Sequence, residues 1–125
     1  MRSAPFALLV LFAALPASAQ QAGDADKGKR LYVQCTACHT LEAGGKARVG
    51  PNLHGVIGAA AGTRPDFTNY SDALKKSGIE WTDDRLDAWL KKPAALVPGT
   101  KMVFVGLARD QDRADLIAYL KDATK

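Results

Sequence analysis

The sequence contains only two cysteines among its 125 residues, Cys35 and Cys38, and they lie in one short segment. A disulfide between them would close a loop of four residues, 35–38, and would constrain little of the chain. The entropic contribution of such a bridge to folding is small. The pair therefore does not indicate a fold held by disulfides, and its spacing points to chemistry instead.

The sequence also has little excess charge of either sign. Seventeen Lys and Arg residues stand against thirteen Asp and Glu residues, which gives a net charge of +4 at pH 7. This excess is too small and too dispersed for a nucleic-acid footprint, so nucleic acid is not expected as a partner. It is sufficient for docking on an acidic protein surface.

Long hydrophobic runs are absent after the N-terminal segment. Met1-Arg2 gives a short positive start, residues 6–15 are apolar, and residues 17–19 read Ala-Ser-Ala, a small-residue cleavage site. The apolar run is about half of the ~20 residues that a membrane-spanning helix needs. We therefore expect residues 1–19 to be a cleaved secretory signal peptide and residues 20–125 to form one soluble domain.

Strand-like alternation bounded by hairpin turns is absent, and the helix signals predict an all-α fold. Cap residues, apolar faces and stop residues define four segments. The apolar run 102–107 stands alone and is predicted to be buried loop. The four predicted helices run from Asp24 to about Gln34, from Tyr70 to Lys76, from a cap at Thr82 to just before Pro93, and from Asp110 onward.

The stretch between the first two predicted helices is rich in glycine and proline, which is typical of irregular loop. It includes eight such residues between positions 44 and 65. A loop this long is unusual inside a compact domain, and few side chains are left to build a core. We therefore expect the loops to wrap around an internal prosthetic group.

The segment Cys35-Thr36-Ala37-Cys38-His39 is the Cys-x-x-Cys-His pattern of c-type haem attachment. Two thiols at this spacing add to the two vinyl groups of one porphyrin, and the following imidazole then binds iron. A redox disulfide is one alternative, but it normally accompanies a strand–helix unit, which is not predicted here. A zinc site that adds His54 is another, but adjacent Cys38 and His39 fit one tetrahedral centre poorly.

A second axial ligand would come from His54, Met102 or a lysine, or would be absent. Met102 is the only methionine besides Met1, and it lies in a predicted loop far along the chain from His39. His54 follows His39 by fifteen residues in a glycine-rich loop. It is more typical of a surface histidine or of one that bonds to backbone.

These features together resemble the class I cytochrome c family, of the mitochondrial and alphaproteobacterial kind, over nearly all of residues 23–125. The resemblance implies a small cytochrome c fold in which N- and C-terminal helices cross at Gly28 and Tyr119 and long loops wrap one covalent haem c. The matching segments are Gly23-Asp24 to Gly28-Lys29, Cys35 to His39, Gly50 to Gly55, Tyr70, Gly78-Ile79 with Trp81, Pro98 to Phe104, and Asp115 to Lys121.

The resemblance also implies roles for single residues. Cys35 and Cys38 form thioethers, and His39 and Met102 bind iron. By the same resemblance, the Pro51 carbonyl accepts the other ring N–H of His39, and Tyr70, Trp81 and Thr100 hydrogen-bond the haem propionates. Leu53 and Phe104 cover the haem faces. Trp89 stands where relatives often have a tyrosine near the distal sulfur. The sequence also departs from the family at Ala59, where many relatives have an arginine that Arg64 could replace.

The function that the resemblance implies is one-electron transfer by a periplasmic monomer that is not an enzyme, because both axial positions are filled. The expected partners are a quinol–cytochrome c reductase complex and a terminal oxidase, or a photosynthetic reaction centre or periplasmic dehydrogenase. A haem peroxidase in which Met102 detaches is the rival. Basic residues are expected around the haem edge and the acids of the last helix (Asp110, Asp112, Asp115) away from it.

Overall fold

The computed structural model describes Met1 and residues 22–125, so the predicted signal peptide lies, apart from Met1, outside the described residues. Within the described part, no helix is both long enough and apolar enough to cross a membrane. The only strand pairing there is a single antiparallel bridge between Ala60 and Glu80, so the all-α class is confirmed. The helices of this part are α1 (Ala25–Tyr32) with a 3-10 turn (Val33–Cys35), α2 (Asp72–Lys75), α3 (Asp83–Lys91), α4 (Pro93–Leu96) and α5 (Asp110–Ala123).

Side-chain caps begin the first three helices. The Asp24 carboxylate accepts the backbone N–H groups of Asp26 and Lys27 at 3.0 and 3.2 Å, and the Thr82 hydroxyl accepts that of Arg85 at 3.3 Å. Such caps satisfy donors that have no partner inside the helix, so the predicted starts of α1 and α3 are confirmed.

Two details of the middle helices differ from the prediction. Helix α2 is shorter than expected because Ser71, rather than a residue before Tyr70, caps it. Pro93 does follow α3, as predicted, but it also opens the unpredicted helix α4. Proline is favourable in the first turn of a helix, where its missing N–H has no partner to lose, so one residue ends one helix and begins the next.

Helices α1 and α5 cross at Gly28, as the resemblance implies. A Cβ atom on Gly28 would overlap the carbonyl oxygen of Asp115 and the Cβ of Tyr119. The rings of Tyr32 and Tyr119 pack with centroids 5.5 Å apart, and Leu116 beside them is 1% exposed. The absence of a side chain at Gly28 therefore allows the two helices to touch.

Asp115 differs from the other acids of α5 in being buried. Its side chain is buried, and its Oδ1 accepts the backbone N–H of Asp24 at 2.8 Å and the Gln111 amide at 2.7 Å. The Asp24 hydrogen bond, followed by the Gln111 bond, lowers the pKa of Asp115, because both stabilise the carboxylate. Asp115 thus ties the start of α1 to α5.

Asp115→Asn is expected to lower the free energy of unfolding of the haem-loaded protein by about 1–3 kcal/mol, since the charge-assisted hydrogen bonds are weakened. The depressed folded-state pKa means that the carboxylate stabilises the fold above the unfolded value of ~3.9 and that this contribution is lost as the pH falls. Denaturant titrations should show that the free energy of unfolding falls more between pH 7 and pH 3 in the parent than in Asp115→Asn. Asp112→Asn, at a more exposed acid paired with Arg109 at 3.7 Å, is the control; an equal effect there would contradict the assignment.

The apolar run 102–107 is loop, as predicted, but it is not buried throughout. Val103 and Val105 are 100% and 91% exposed, whereas Met102 and Phe104 are half-buried and pack against the core. Neighbouring side chains of an extended segment point to opposite sides. The run therefore turns Met102 and Phe104 inward, and Leu107 at its end also packs against the core.

Candidate haem-binding site

The two cysteines and His39 come from one tight turn directly after α1. The backbone N–H groups of Cys38 and His39 both donate to the carbonyl of Cys35, at 3.2 and 3.0 Å. Both cysteines are free thiols, and both are partly buried. The sequence motif therefore presents two thiols and an imidazole from five consecutive residues, 35–39.

The thiol of Cys35 is not of the redox-active kind. Burial, followed by the nearby Cys38, raises the pKa of Cys35 to about 11. Redox Cys-x-x-Cys motifs depend on a thiolate whose pKa is lowered. The raised pKa of Cys35 thus disfavours the redox-disulfide alternative and keeps the Cys35 thiol protonated.

His39 is held with one ring nitrogen engaged. Its Nδ1 lies 2.8 Å from the carbonyl oxygen of Pro51, the contact that the resemblance implies. Burial lowers the pKa of His39, while the Pro51 hydrogen bond acts in the opposite direction. In a neutral imidazole whose Nδ1–H donates to Pro51, Nε2 keeps a lone pair for a metal ion.

The chain around Pro51 leaves room for this ring. A Cβ atom on Gly50 would overlap the imidazole, and the Gly50 N–H donates to the carbonyl of Cys38 at 2.9 Å. The backbone of His39 is also held by α1, because the Tyr32 hydroxyl donates to the His39 carbonyl at 3.3 Å. Burial raises the pKa of Tyr32 to about 12, so this hydroxyl stays protonated.

Sequence reasoning assigned no role to Asn52, which fixes the loop that presents Pro51. Its buried amide donates to the Thr40 hydroxyl at 2.8 Å and to the Glu42 carbonyl at 3.0 Å, and its oxygen accepts the His54 N–H at 2.9 Å. A buried asparagine must find such partners to avoid a desolvation penalty. The only sequence signal for Asn52 was its position between the predicted site residues Pro51 and Leu53.

His54 is occupied by backbone contacts rather than by a ligand site. Its Nδ1 lies 3.2 Å from the carbonyl of Leu41, and its own carbonyl accepts a hydrogen bond from the Arg64 guanidinium. Across residues 22–125, no three His, Cys, Asp or Glu side chains come together to hold a metal ion. The zinc alternative therefore has no support in the described structure.

Met102 lies in the loop between α4 and α5. Its thioether is half-buried, and its backbone N–H donates to the Thr100 hydroxyl at 3.4 Å. Several predicted site residues pack, partly buried, against the same core: Cys35, Leu53, Tyr70, Met102 and Phe104.

The aromatic residues of the predicted site form two pairs. Trp81 and Trp89, with 8% and 7% exposure, pack edge to face with centroids 5.2 Å apart. Tyr70 packs edge to face on Phe67 at 4.8 Å, and its hydroxyl accepts the Arg64 backbone N–H at 3.3 Å. Sequence reasoning missed Phe67, for which proximity to Tyr70 in the chain was the only signal.

The donor set fits a covalently bound haem. Two free thiols match the vinyl groups, the imidazole offers Nε2, and a thioether is present in a partly buried loop. With the helical scaffold, these groups define a small c-type haem protein.

Comparison with known proteins agrees with this class. Residues 25–124 match the cytochrome c family model, so the chain belongs to the cytochrome c family. It is 54% identical to cytochrome c2 of Rhodomicrobium vannielii over 104 residues, 83% of this chain and 82% of that protein. It is 45% identical to cytochrome c2 of Blastochloris viridis over 122 residues, 97% and 93% of the two chains.

A solved structure supports the same assignment. Cytochrome cH from Methylobacterium extorquens is 49% identical to this chain and superimposes with a TM-score of 0.75, covering 80% of this chain and 99% of its own. The protein therefore has the cytochrome c fold, binds covalent haem c and is a single-haem electron-transfer protein.

Proposed function

We propose that the protein shuttles single electrons between membrane or periplasmic redox complexes, with haem c joined to Cys35 and Cys38 and coordinated by His39 and Met102. The observation that carries this proposal is the 2.8 Å contact between His39 Nδ1 and the Pro51 carbonyl. This contact occupies Nδ1 of His39 and leaves Nε2 available to bind iron, in the same five-residue segment as the two thiols.

The bound haem supplies an iron atom that takes up and releases one electron. The protein's side chains set the conditions for that exchange. The Pro51 hydrogen bond makes His39 a stronger ligand, and the soft Met102 thioether favours Fe(II) and raises the potential. If His39 and Met102 both bind the iron, no site would be open for a substrate, so the protein is proposed to be a carrier and not a peroxidase.

The surrounding side chains are proposed to seat the cofactor. Tyr70, Trp81 and Thr100 would donate to the propionates of the bound haem; burial raises the pKa of Tyr70, which keeps its proton available. The Thr100 hydroxyl accepts from Met102 and so retains its own proton for donation. Half-buried Leu53 and Phe104 would shield the haem faces, and Trp89 packs edge to face on Trp81 within the core against which Met102 lies.

The protein is proposed to work in the periplasm after removal of residues 1–19, as a single domain over residues 20–125. The charged start, apolar run and Ala-Ser-Ala site support this proposal. The match to the bacterial cytochrome c2 of Blastochloris viridis extends over 97% of the chain and takes in most of this segment.

A basic surface supports docking to acidic partners. The acids of α5 have partners within the chain: Asp110 pairs with Arg113, Asp112 lies 3.7 Å from Arg109, Asp115 is buried, and Asp122 lies 3.1 Å from Lys125. The proposed donor is a quinol–cytochrome c reductase complex, and the acceptor a terminal oxidase, with a photosynthetic reaction centre or a periplasmic dehydrogenase as other partners of the monomer. The exposed basic residues predicted at the haem edge are Lys29, Arg30, Lys46, Lys75, Lys76, Lys91, Lys92 and Lys101.

The rate of reduction by a quinol–cytochrome c reductase complex is expected to fall about tenfold or more between 0.01 and 0.1 M salt, because the Debye length shrinks from ~30 to ~10 Å. Stopped-flow absorbance at increasing ionic strength measures this rate. Lys91→Gln with Lys92→Gln should flatten the salt dependence. Lys125→Gln, at a lysine paired with Asp122 at 3.1 Å, should not. A salt-independent rate would refute the basic docking surface, and no electron transfer with any of these complexes would refute the carrier role.

A further inference from the structure

Arg113 is a buried charge on α5 with an unusually complete set of partners. Its side chain is 3% exposed. The guanidinium donates to Asp87 at 2.8 Å, to the carbonyls of Leu107 and Ala108 at 2.8 and 3.1 Å, and to Asp110. A buried guanidinium is tolerated only when its donors are satisfied, so this arrangement specifies the position of each partner.

The two carbonyls belong to the downstream end of the loop that carries Met102. Residues 101–106 make no backbone–backbone hydrogen bond with any part of the chain that the structure describes. The nearest backbone bonds lie on either side, from the Thr100 N–H to Val97 at 3.1 Å and from the Leu107 N–H to Leu90 at 2.8 Å. The backbone around Met102 is therefore held mainly from its two ends.

The downstream end is packed closely against α3. Gly106 has φ +96°, a conformation that favours glycine, and a Cβ atom there would overlap the carbonyl oxygen of Lys91 at the end of α3. Asp87, also on α3, orients the guanidinium that reaches over from α5. Arg113 thus joins three parts of the fold: α3, the end of the Met102 loop and the first turn of α5.

We propose that Arg113 is a positioning residue for Met102. It holds the loop at Leu107, five residues after Met102, and thereby slows the detachment of the Met102 thioether from the haem iron. The inference rests on the proposed role of Met102 as an axial ligand. Because the middle of the loop has no backbone–backbone hydrogen bonds and the Met102 N–H bonds only to Thr100 within the same loop, movement of Met102 away from the iron requires the loop to swing about its ends, and Arg113 stiffens one of them.

Imidazole binding to the oxidised, haem-loaded protein tests the proposal. At saturating imidazole, the limiting rate equals the rate at which Met102 leaves, and absorbance reports it. Arg113→Lys keeps the charge but loses the planar set of donors, so the limiting rate should rise about tenfold or more. Asp87→Asn removes the charge that orients the guanidinium and should raise the rate less; it also keeps the test available if Arg113→Lys does not fold.

Asp115→Asn is the matched control, because Asp115 is also a buried charged residue of α5 but contacts no residue of the Met102 loop through its hydrogen bonds. Denaturant unfolding, followed by far-UV circular dichroism, ranks the global stability of all variants. The proposal predicts that the limiting rate of imidazole binding is higher for Arg113→Lys than for Asp115→Asn when the two variants are compared at equal global stability. Equal rates at equal stability, or unchanged rates in both Arg113→Lys and Asp87→Asn, would overturn it.

The parent protein separates this inference from the proposed function. If the oxidised parent shows no methionine–iron charge-transfer band, Met102 is not a ligand and both ideas fail. If the band is present and the imidazole rates do not respond to Arg113 or Asp87, only the positioning role fails.

Discussion

Replacing both Cys35 and Cys38 with alanine is expected to leave a haem-free and largely unfolded chain. Residues 36–71 form no helix in the structure, and the loop from 97 to 109 is likewise irregular. Such segments lose conformational entropy on folding without gaining helical hydrogen bonds. The haem must therefore supply much of the packing surface, and its binding energy is linked to folding.

Intact-mass measurement and NMR check this expectation. The matured parent should carry one haem that survives denaturation and acid–acetone extraction, whereas the double variant should carry none and give a poorly dispersed amide spectrum. Thr36→Ser is the matched control, since it lies between the cysteines and can keep the 2.7 Å hydroxyl bond to the Val33 carbonyl. A well-dispersed spectrum of the haem-free double variant would show that the chain folds without its cofactor.

The parts of the fold that the sequence predicted correctly are those decided by neighbours in the chain. Asp24 and Thr82 cap helices because each accepts backbone N–H groups two or three residues ahead. The apolar spacing of Leu86, Trp89 and Leu90 places one face of α3 in the core, and all three are buried. Such local rules can be applied before any tertiary contact is known.

The errors and omissions that concern buried charged residues arise from contacts between distant residues. Asp115 accepts the Asp24 N–H across 91 positions, so no local pattern distinguishes it from a surface acid on α5. The burial of Arg113 likewise depends on a distant partner, because its guanidinium donates to Asp87, which lies 26 positions away in the sequence. Charged residues are usually exposed, and only tertiary partners reverse that expectation.

The residues of the candidate site also divide into those that a local sequence pattern identifies and those whose roles depend on contacts with other segments. The motif from Cys35 to His39 could be identified because one cofactor imposes its spacing. The Pro51 carbonyl was reached only through the family resemblance, and Asn52 was not found at all, because its partners come from residues 40, 42 and 54. Sequence assigned Trp81 and Trp89 to different parts of the site, whereas the structure packs their rings together.

Met102→Ala is expected to lower the reduction potential by about 0.1–0.3 V, a fraction of the ~0.8 V range that axial ligands set. The thioether favours Fe(II), and its loss also admits water to a partly buried site, so both effects act in the same direction. The oxidised variant should lose its methionine–iron charge-transfer band. The reduced variant should bind carbon monoxide, which the parent should resist. Redox titration and absorbance spectroscopy measure all three changes.

Two further variants decide whether Met102 acts through its sulfur or through its bulk. Met102→Leu retains an apolar side chain of similar volume, so a packing role would leave its potential and spectrum like those of the parent. A ligand role predicts that Met102→Leu behaves like Met102→Ala. His54→Ala should leave the band unchanged, because His54 is engaged with the Leu41 carbonyl and Arg64. If the parent shows no such band, Met102→Ala and Met102→Leu keep the parent's potential, and His54→Ala changes it, the distal ligand is His54. The loop that carries Met102 then serves only to cover the core.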